Sequence, residues 1–119
     1  MLTLATTNTL AGGASVASQL TCTVMGMELN GSTETYKVIY QGQLANSATT
    51  IYTVPASTTA FIKTITIVNN DTAVRTFSLY VNGTAAANKI TPTYEIPAGG
   101  QAVYEDGCGW SFFTANGIM

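Results

Sequence analysis

The sequence predicts an all-β fold, an antiparallel β-sandwich or jelly-roll-like barrel of about seven to eight strands. Three observations predict it. Short runs of alternating apolar and polar residues recur along the chain. The clearest is "RTFSLYV", with Phe77, Leu79 and Val81 on one face and Thr76, Ser78 and Tyr80 on the other. Turn pairs that favour left-handed backbone close such runs, as Asn30-Gly31 and Asn82-Gly83 do. Helix-forming text is nearly absent. "GASVASQL" is the best of it, and β-branched and small polar residues weaken it.

The first segment, "MLTLATTNTLAGGASVASQ", reads as an extended N-terminal arm over 1–20, followed by a single sandwich domain over 21–119. It makes a poor signal peptide, because no Lys or Arg precedes the small-residue step "SVAS" and Asn8, Gly12 and Gly13 interrupt the apolar stretch. "LTCTVMGMEL" is the next strand and ends at the Asn30-Gly31 turn. "TYKVIYQGQL" places Val38, Tyr40 and Leu44 at period two, with Gly42 leaving a gap on that face, as at a bulge or a close backbone approach. "TTIYTVP" closes at Pro55. "TAFIKTITIVNN" sets Phe61, Ile65 and Ile67 against Thr64 and Thr66, and Lys63 breaks the apolar face, which a bulge or an exposed strand start explains. After "VRTFSLYVNG" come "KITPTYEIP", "QAVYEDG" and "GWSFFTANG".

One internal echo stands out. "YTVPASTTAFI" aligns without gaps on "YEIPAGGQAVY", so that Tyr52 and Tyr94, Pro55 and Pro97, Ala56 and Ala98, and Ala60 and Ala102 coincide. Proline fixes φ and stops the first strand, and small residues let the chain reverse. The echo reads either as two similar hairpins exposing equivalent loops or as one common turn used twice.

Charged residues are 8% of the chain, against a usual share of about 25%, and hydrophobic residues are 46% with a mean hydropathy of +0.25. That composition is the opposite of a disordered chain. Solvent-facing positions must be filled by Thr, Ser, Asn, Gln and Gly, and such a surface is poorly soluble unless partners cover part of it. The net charge of −2 and the scatter of the basic residues Lys37, Lys63, Arg75 and Lys89 give no phosphate-neutralising patch, so nucleic acid is not an expected partner. No basic amphipathic helix and no apolar run near the roughly 20 residues of a span point to a membrane. Cys22 and Cys108 have no CxxC or Cys/His spacing and are expected to be free, buried thiols.

Chemistry has little to work with. The chain contains no histidine, which removes the usual general base and the commonest metal ligand. Glu105 and Asp106 are sequence neighbours and fit a turn before Gly107 better than a catalytic pair. "NND" at Asn69–Asp71 lacks the spaced acidic pattern of a calcium loop, and the glycines of "PAGG" lack a following helix or lysine. No catalytic residue, metal site or cofactor is expected, and the chain reads as a non-enzyme. The aromatics, among them Tyr36, Tyr104, Trp110, Phe112 and Phe113, serve as core, as interface anchors or as a sugar-stacking platform. Phe112 and Phe113 point to opposite faces of a regular strand, so one of them needs a cover.

Five pieces of this text carry a resemblance: "YTVP" with its small-residue turn, an aliphatic strand ending in Asn69, "LYVNG" at Leu79–Gly83, "IPAGG" at Ile96–Gly100 and the late Trp110. Together they resemble small β-sandwich virion proteins of tailed bacteriophages over roughly the C-terminal two thirds of the chain. The resemblance implies a structural protein of the particle, made in the bacterial host cytoplasm: a capsid decoration (cement) protein, or a tail or fibre component. The decoration reading expects a homo-oligomer, a trimer, that clamps the major capsid protein. Its arm would lie along a neighbour, so that deleting Met1–Ala14 spares the sandwich and abolishes lattice binding. The interface candidates are Leu2, Leu4 and Leu10 on the arm, with Tyr104 and Phe112 in the domain. The alternatives are a tail-tip or fibre module that binds host glycan through exposed aromatics and the loops at Ser57–Thr59 and Gly99–Gln101, and a generic adhesion-type sandwich.

Overall fold

The computed structural model describes residues 2–118. Eleven strands follow one another: β1 (Leu2–Leu4), β2 (Thr9–Ala14), β3 (Leu20–Asn30), β4 (Thr33–Gln43), β5 (Thr49–Thr53), β6 (Thr58–Asn69), β7 (Arg75–Val81), β8 (Tyr94–Ile96), β9 (Gln101–Glu105), β10 (Gly109–Thr114) and β11 (Gly117–Ile118). A 3-10 turn at Ala86–Asn88 is the one helical element among the described residues. The all-β sandwich expectation holds, with eleven strands in place of seven to eight.

The strands make two sheets, and every pairing is antiparallel. The larger sheet runs β11-β10-β9-β6-β3-β4, with β1 added along the same edge of β6 that β9 uses further on. The smaller runs β5-β2-β7-β8. Between them lies one core, in which Val24, Ile62, Ile65 and Ile67 of the larger sheet meet Leu10, Phe77 and Leu79 of the smaller. Each such side chain taken fully out of water contributes about 1.5–3 kcal/mol before entropy is counted.

The N-terminal segment is not an arm. Leu2–Leu4 pairs with Ala60–Ile62, and Thr9–Ala14 is an interior strand between β5 and β7. Leu4 is 1% and Leu10 0% exposed. The physical reason is that β6 and β7 would otherwise each leave an unpaired edge, and the leucines would leave a void in the core. Deleting this stretch would therefore unmake the sandwich rather than trim it. Met1, the first residue of the expected arm, lies outside the described residues.

Two bulges cross the larger sheet at the same level. On one side of β3, Val24 pairs with Tyr40 and Met25 with Val38, leaving Ile39 as the extra residue. On the other, Met25 pairs with Thr64 and Gly26 with Ile62, leaving Lys63 as the extra residue. The fault at Lys63 is thus a bulge, held by Asp106 N–H donating to the Lys63 carbonyl at 2.9 Å. Because an extra residue reverses the side-chain alternation, Phe61 lies on the outer face and Ile62 takes the inner one. Likewise Val38 is turned outward and is 51% exposed, while Tyr40 faces in. The gap expected at Gly42 is filled by Tyr40, whose hydroxyl stands 2.5 Å from where a Cβ would be.

Neither copy of the internal echo is a hairpin; one turn is used twice. In each copy the chain leaves the smaller sheet, turns at proline and enters the larger one: β5 to β6 at Pro55, and β8 to β9 at Pro97. Val54 and Ile96 are buried at matching positions, and Ser57 (φ 58°) and Gly99 (φ 69°) supply the same left-handed turn residue. Asn69 braces the second crossover. Buried completely, it donates through Nδ2 to the carbonyls of Ala73, Ile96 and Pro97 at 3.0, 3.0 and 3.1 Å, and its Oδ1 accepts Asp71 N–H.

Candidate interaction surface

Beyond the bulges, β3 and β4 form a hairpin closed by Gly31 and Ser32, with Gly31 in left-handed conformation (φ 61°). Residues directly opposite one another in an antiparallel pair share a face. Met25 lies opposite Val38, Met27 opposite Tyr36 and Phe61, and Leu29 opposite Thr59 and Glu34. Six apolar side chains therefore gather on the outer face at this end of the sheet, turned away from the core. Tyr36 is 72%, Val38 51% and Met25 41% exposed, whereas Met27 is covered by its neighbours. An exposed apolar patch of this kind is a candidate protein contact, and methionines suit one because their flexible side chains adapt to a partner's shape.

The patch borders an open edge. β4 pairs with β3 alone, and Gly31 to Val38 are all exposed. Free strand edges invite further strands unless a charge or a bulge blocks them. Of the two charges on β4, Lys37 is drawn back to Glu28 at 3.1 Å and Glu34 sits near the hairpin end opposite Leu29, while the bulge at Ile39 lies beyond the exposed stretch.

On the inner face of the hairpin Glu28 is fixed from two sides. The Tyr52 hydroxyl of β5 donates to its Oε2, and Lys37 Nζ donates to its Oε1. The Tyr52 hydrogen bond above all, with Lys37 adding to it, holds the Glu28 carboxyl below its ordinary value of 4.5. The same bond, together with burial as the larger cause, raises Tyr52. This clasp ties the hairpin to the smaller sheet.

The five interface candidates all lie in or pack against the core, with Leu2, Tyr104 and Phe112 staying half-buried. Leu4 and Leu10 are core. Leu2 and Tyr104, with Trp110 and Ile65, line a recess of about 210 Å³ between the sheets. Phe112 packs on Tyr94 at 4.9 Å between ring centroids, and Trp110 on Phe77 at 5.5 Å and Tyr104 at 5.6 Å. Phe113 takes the outer face, opposite Ile118 and Gln101. Sequence reading missed Met25, Met27, Leu29, Val38 and Phe61. The signal was present in "TVMGMEL" and "TYKV", which the two-residue turn aligns, but the bulges that turn these residues outward leave no plain mark in the text.

The charges form no basic surface. Lys37, Lys63 and Arg75 pair with Glu28, Asp106 and Asp71, and Lys89 donates to Thr93. Asp71 is spent on its own loop, accepting from Arg75 Nε at 2.7 Å and Thr72 N–H. Among the described residues no group of three or more His, Cys, Asp or Glu side chains stands close enough to hold a metal ion. Among the described residues no helix is long and apolar enough to cross a membrane. Both thiols are free, but only Cys22 is buried, where desolvation pushes it up to about 12; Cys108 is exposed in the turn after β9, which corrects the expectation of two buried thiols. Family models, curated proteins and solved structures give no match to this chain.

Proposed function

We propose that this chain is a non-enzymatic structural protein of a tailed-bacteriophage virion, a decoration protein whose copies associate and bind the major capsid protein on the assembled head. The observation that carries the reading is the exposed outer face of Met25, Tyr36 and Val38 beside the open β4 edge. The sequence resemblance supplies the particle, and the charge-poor composition agrees with a surface that neighbours cover. The contact is made by the β3–β4 hairpin, in place of the N-terminal arm. Its mechanism is linkage: a protein that binds only the assembled lattice stabilises it, by about 2.7 kcal/mol per site at a hundredfold excess over Kd.

The test is cosedimentation of the purified chain with heads that lack it. Met25→Thr, Tyr36→Thr and Val38→Thr are combined in one variant, which touches no core residue and keeps its Tm within a few degrees of wild type. The wild-type chain should pellet with the heads and the variant should stay in solution. Equal pelleting of the two would overturn the assignment of the contact to this face.

A further inference from the structure

The inner face of the same hairpin carries a different chemistry from the outer one. Glu28, Asn30, Thr33 and Thr35 face Thr58 and Pro55 of the β5–β6 crossover across a cleft of about 390 Å³. The register makes this a shared face, since Glu28 is opposite Thr35, and Asn30 is opposite both Thr33 and Thr58. The volume falls in the usual range for small-ligand sites, about 300–1,000 Å³.

The lining narrows the ligand class. Pro55 is its single apolar side chain, so a hydrocarbon ligand has little to bury against. An anion would meet the Glu28 carboxylate with no spare cation, because Lys37 already sits on Oε1. A hard cation wants several carboxylate oxygens, and here one carboxylate is already engaged by an ammonium and a phenol. A neutral ligand with many hydroxyls fits what remains. The side chains of Asn30, Thr33 and Thr35 are exposed and make no hydrogen bond within the described residues, so together they offer donors and acceptors. Glu28 is held at both oxygens yet keeps a lone pair on each, which makes it a pre-oriented acceptor for charge-assisted bonds from hydroxyls.

We propose that this cleft binds a saccharide, a neutral sugar ring whose hydroxyls are held by the Glu28 carboxylate, the Asn30 amide and the hydroxyls of Thr33 and Thr35. Pro55 forms the wall against which the ring's C–H edge rests. The site lies beside the turn over 55–57 that leads into β6, away from the aromatic cluster. It is separate from the outer apolar face, and the two surfaces can be tested independently.

The experiment is an array of neutral oligosaccharides probed with the labelled full chain, then titration of the ¹⁵N-labelled chain with the strongest binder. Amide shifts should centre on Glu28, Asn30, Thr33 and Thr35. Glu28→Gln should weaken binding by about tenfold or more, since it removes the charge from the acceptor, and Thr35→Val by about fivefold. Thr35 is exposed, so its variant keeps the fold and guards against loss of structure in the Glu28 variant. Three results would each overturn the site: no glycan bound on the array, shifts centred instead on Tyr104 and Trp110, or Glu28→Gln and Thr35→Val variants that bind as the wild type does.

Discussion

Replacing Gly26 by alanine tests the bulged architecture that aims the outer face. Gly26 is buried on β3 just past the two bulges, between Met25 and Met27. A Cβ at this position would overlap the carbonyl oxygen of Phe61 and stand 3.0 Å from its carbon and 3.1 Å from Ile39 Cδ1. The main obstacle is backbone, which cannot rotate away. Relief requires β3 and β6 to part by about 1 Å, and a gap of that size forfeits a quarter to a half of the local dispersion energy. Overpacking costs about 1–3 kcal/mol, and weakening one or two ladder hydrogen bonds adds about 1 kcal/mol each. The expected loss is on the order of 3 kcal/mol, a fall in Tm of roughly 10 °C for a domain of this size. Thermal unfolding by circular dichroism measures it. Gly31→Ala is the control, because nothing lies within 4 Å of that position and only its left-handed φ of 61° opposes a side chain, at about 1–2 kcal/mol. If Gly26→Ala proved no more costly than Gly31→Ala, the close approach of β3 and β6 at the bulge would be wrong.

Asn69→Ala should lower stability by about 1–3 kcal/mol in chemical denaturation, because three carbonyls and the Asp71 N–H lose their partner inside the protein; an unchanged midpoint would contradict the bracing role. The Glu28 carboxyl is held below 4.5 in the folded state, so its contribution is complete above that value and is lost as pH falls through the folded pKa. Tyr52→Phe should move the Glu28 titration, followed by carboxyl NMR, up towards its ordinary value and flatten the acid limb of the stability profile. A thiol reagent should label Cys108 at once in the native protein and Cys22 only on unfolding, since one is exposed and the other buried with its thiol at about 12. Two fast equivalents would refute the burial of Cys22.

Much of the fold was legible because pattern and turn chemistry agree. The text from "LTCTV" to "FTANG" marks β3 to β10 in order, and the Asn82-Gly83 stop appears as two residues with positive φ (61° and 143°). The pattern fault at Lys63 suits a bulge or an exposed strand start, and the register shows the bulge. Three things were hidden. The leucines of the first segment give the same text whether they lie on a neighbour or in their own core, and only the topology, with edges on β6 and β7 to fill, decides. The prolines of the echoed turns stop a strand without saying whether the chain returns to the same sheet or crosses to the other. The outer face was missed because period-two counting assigns Val38 to the side of Tyr40 and Phe61 to the side of Ile65, and one extra residue in each strand reverses both. Tyr104 and Phe112 are held inward by their places opposite Trp110 and Ala102.

The measurement that bears most directly on the decoration role is a copy count. Purified virions are separated into heads and tails, and this chain is quantified in each by mass spectrometry against the major capsid protein. The chain is expected in heads, at a copy number comparable with that protein. A small ring-like number confined to tails, or absence from both fractions, would contradict it.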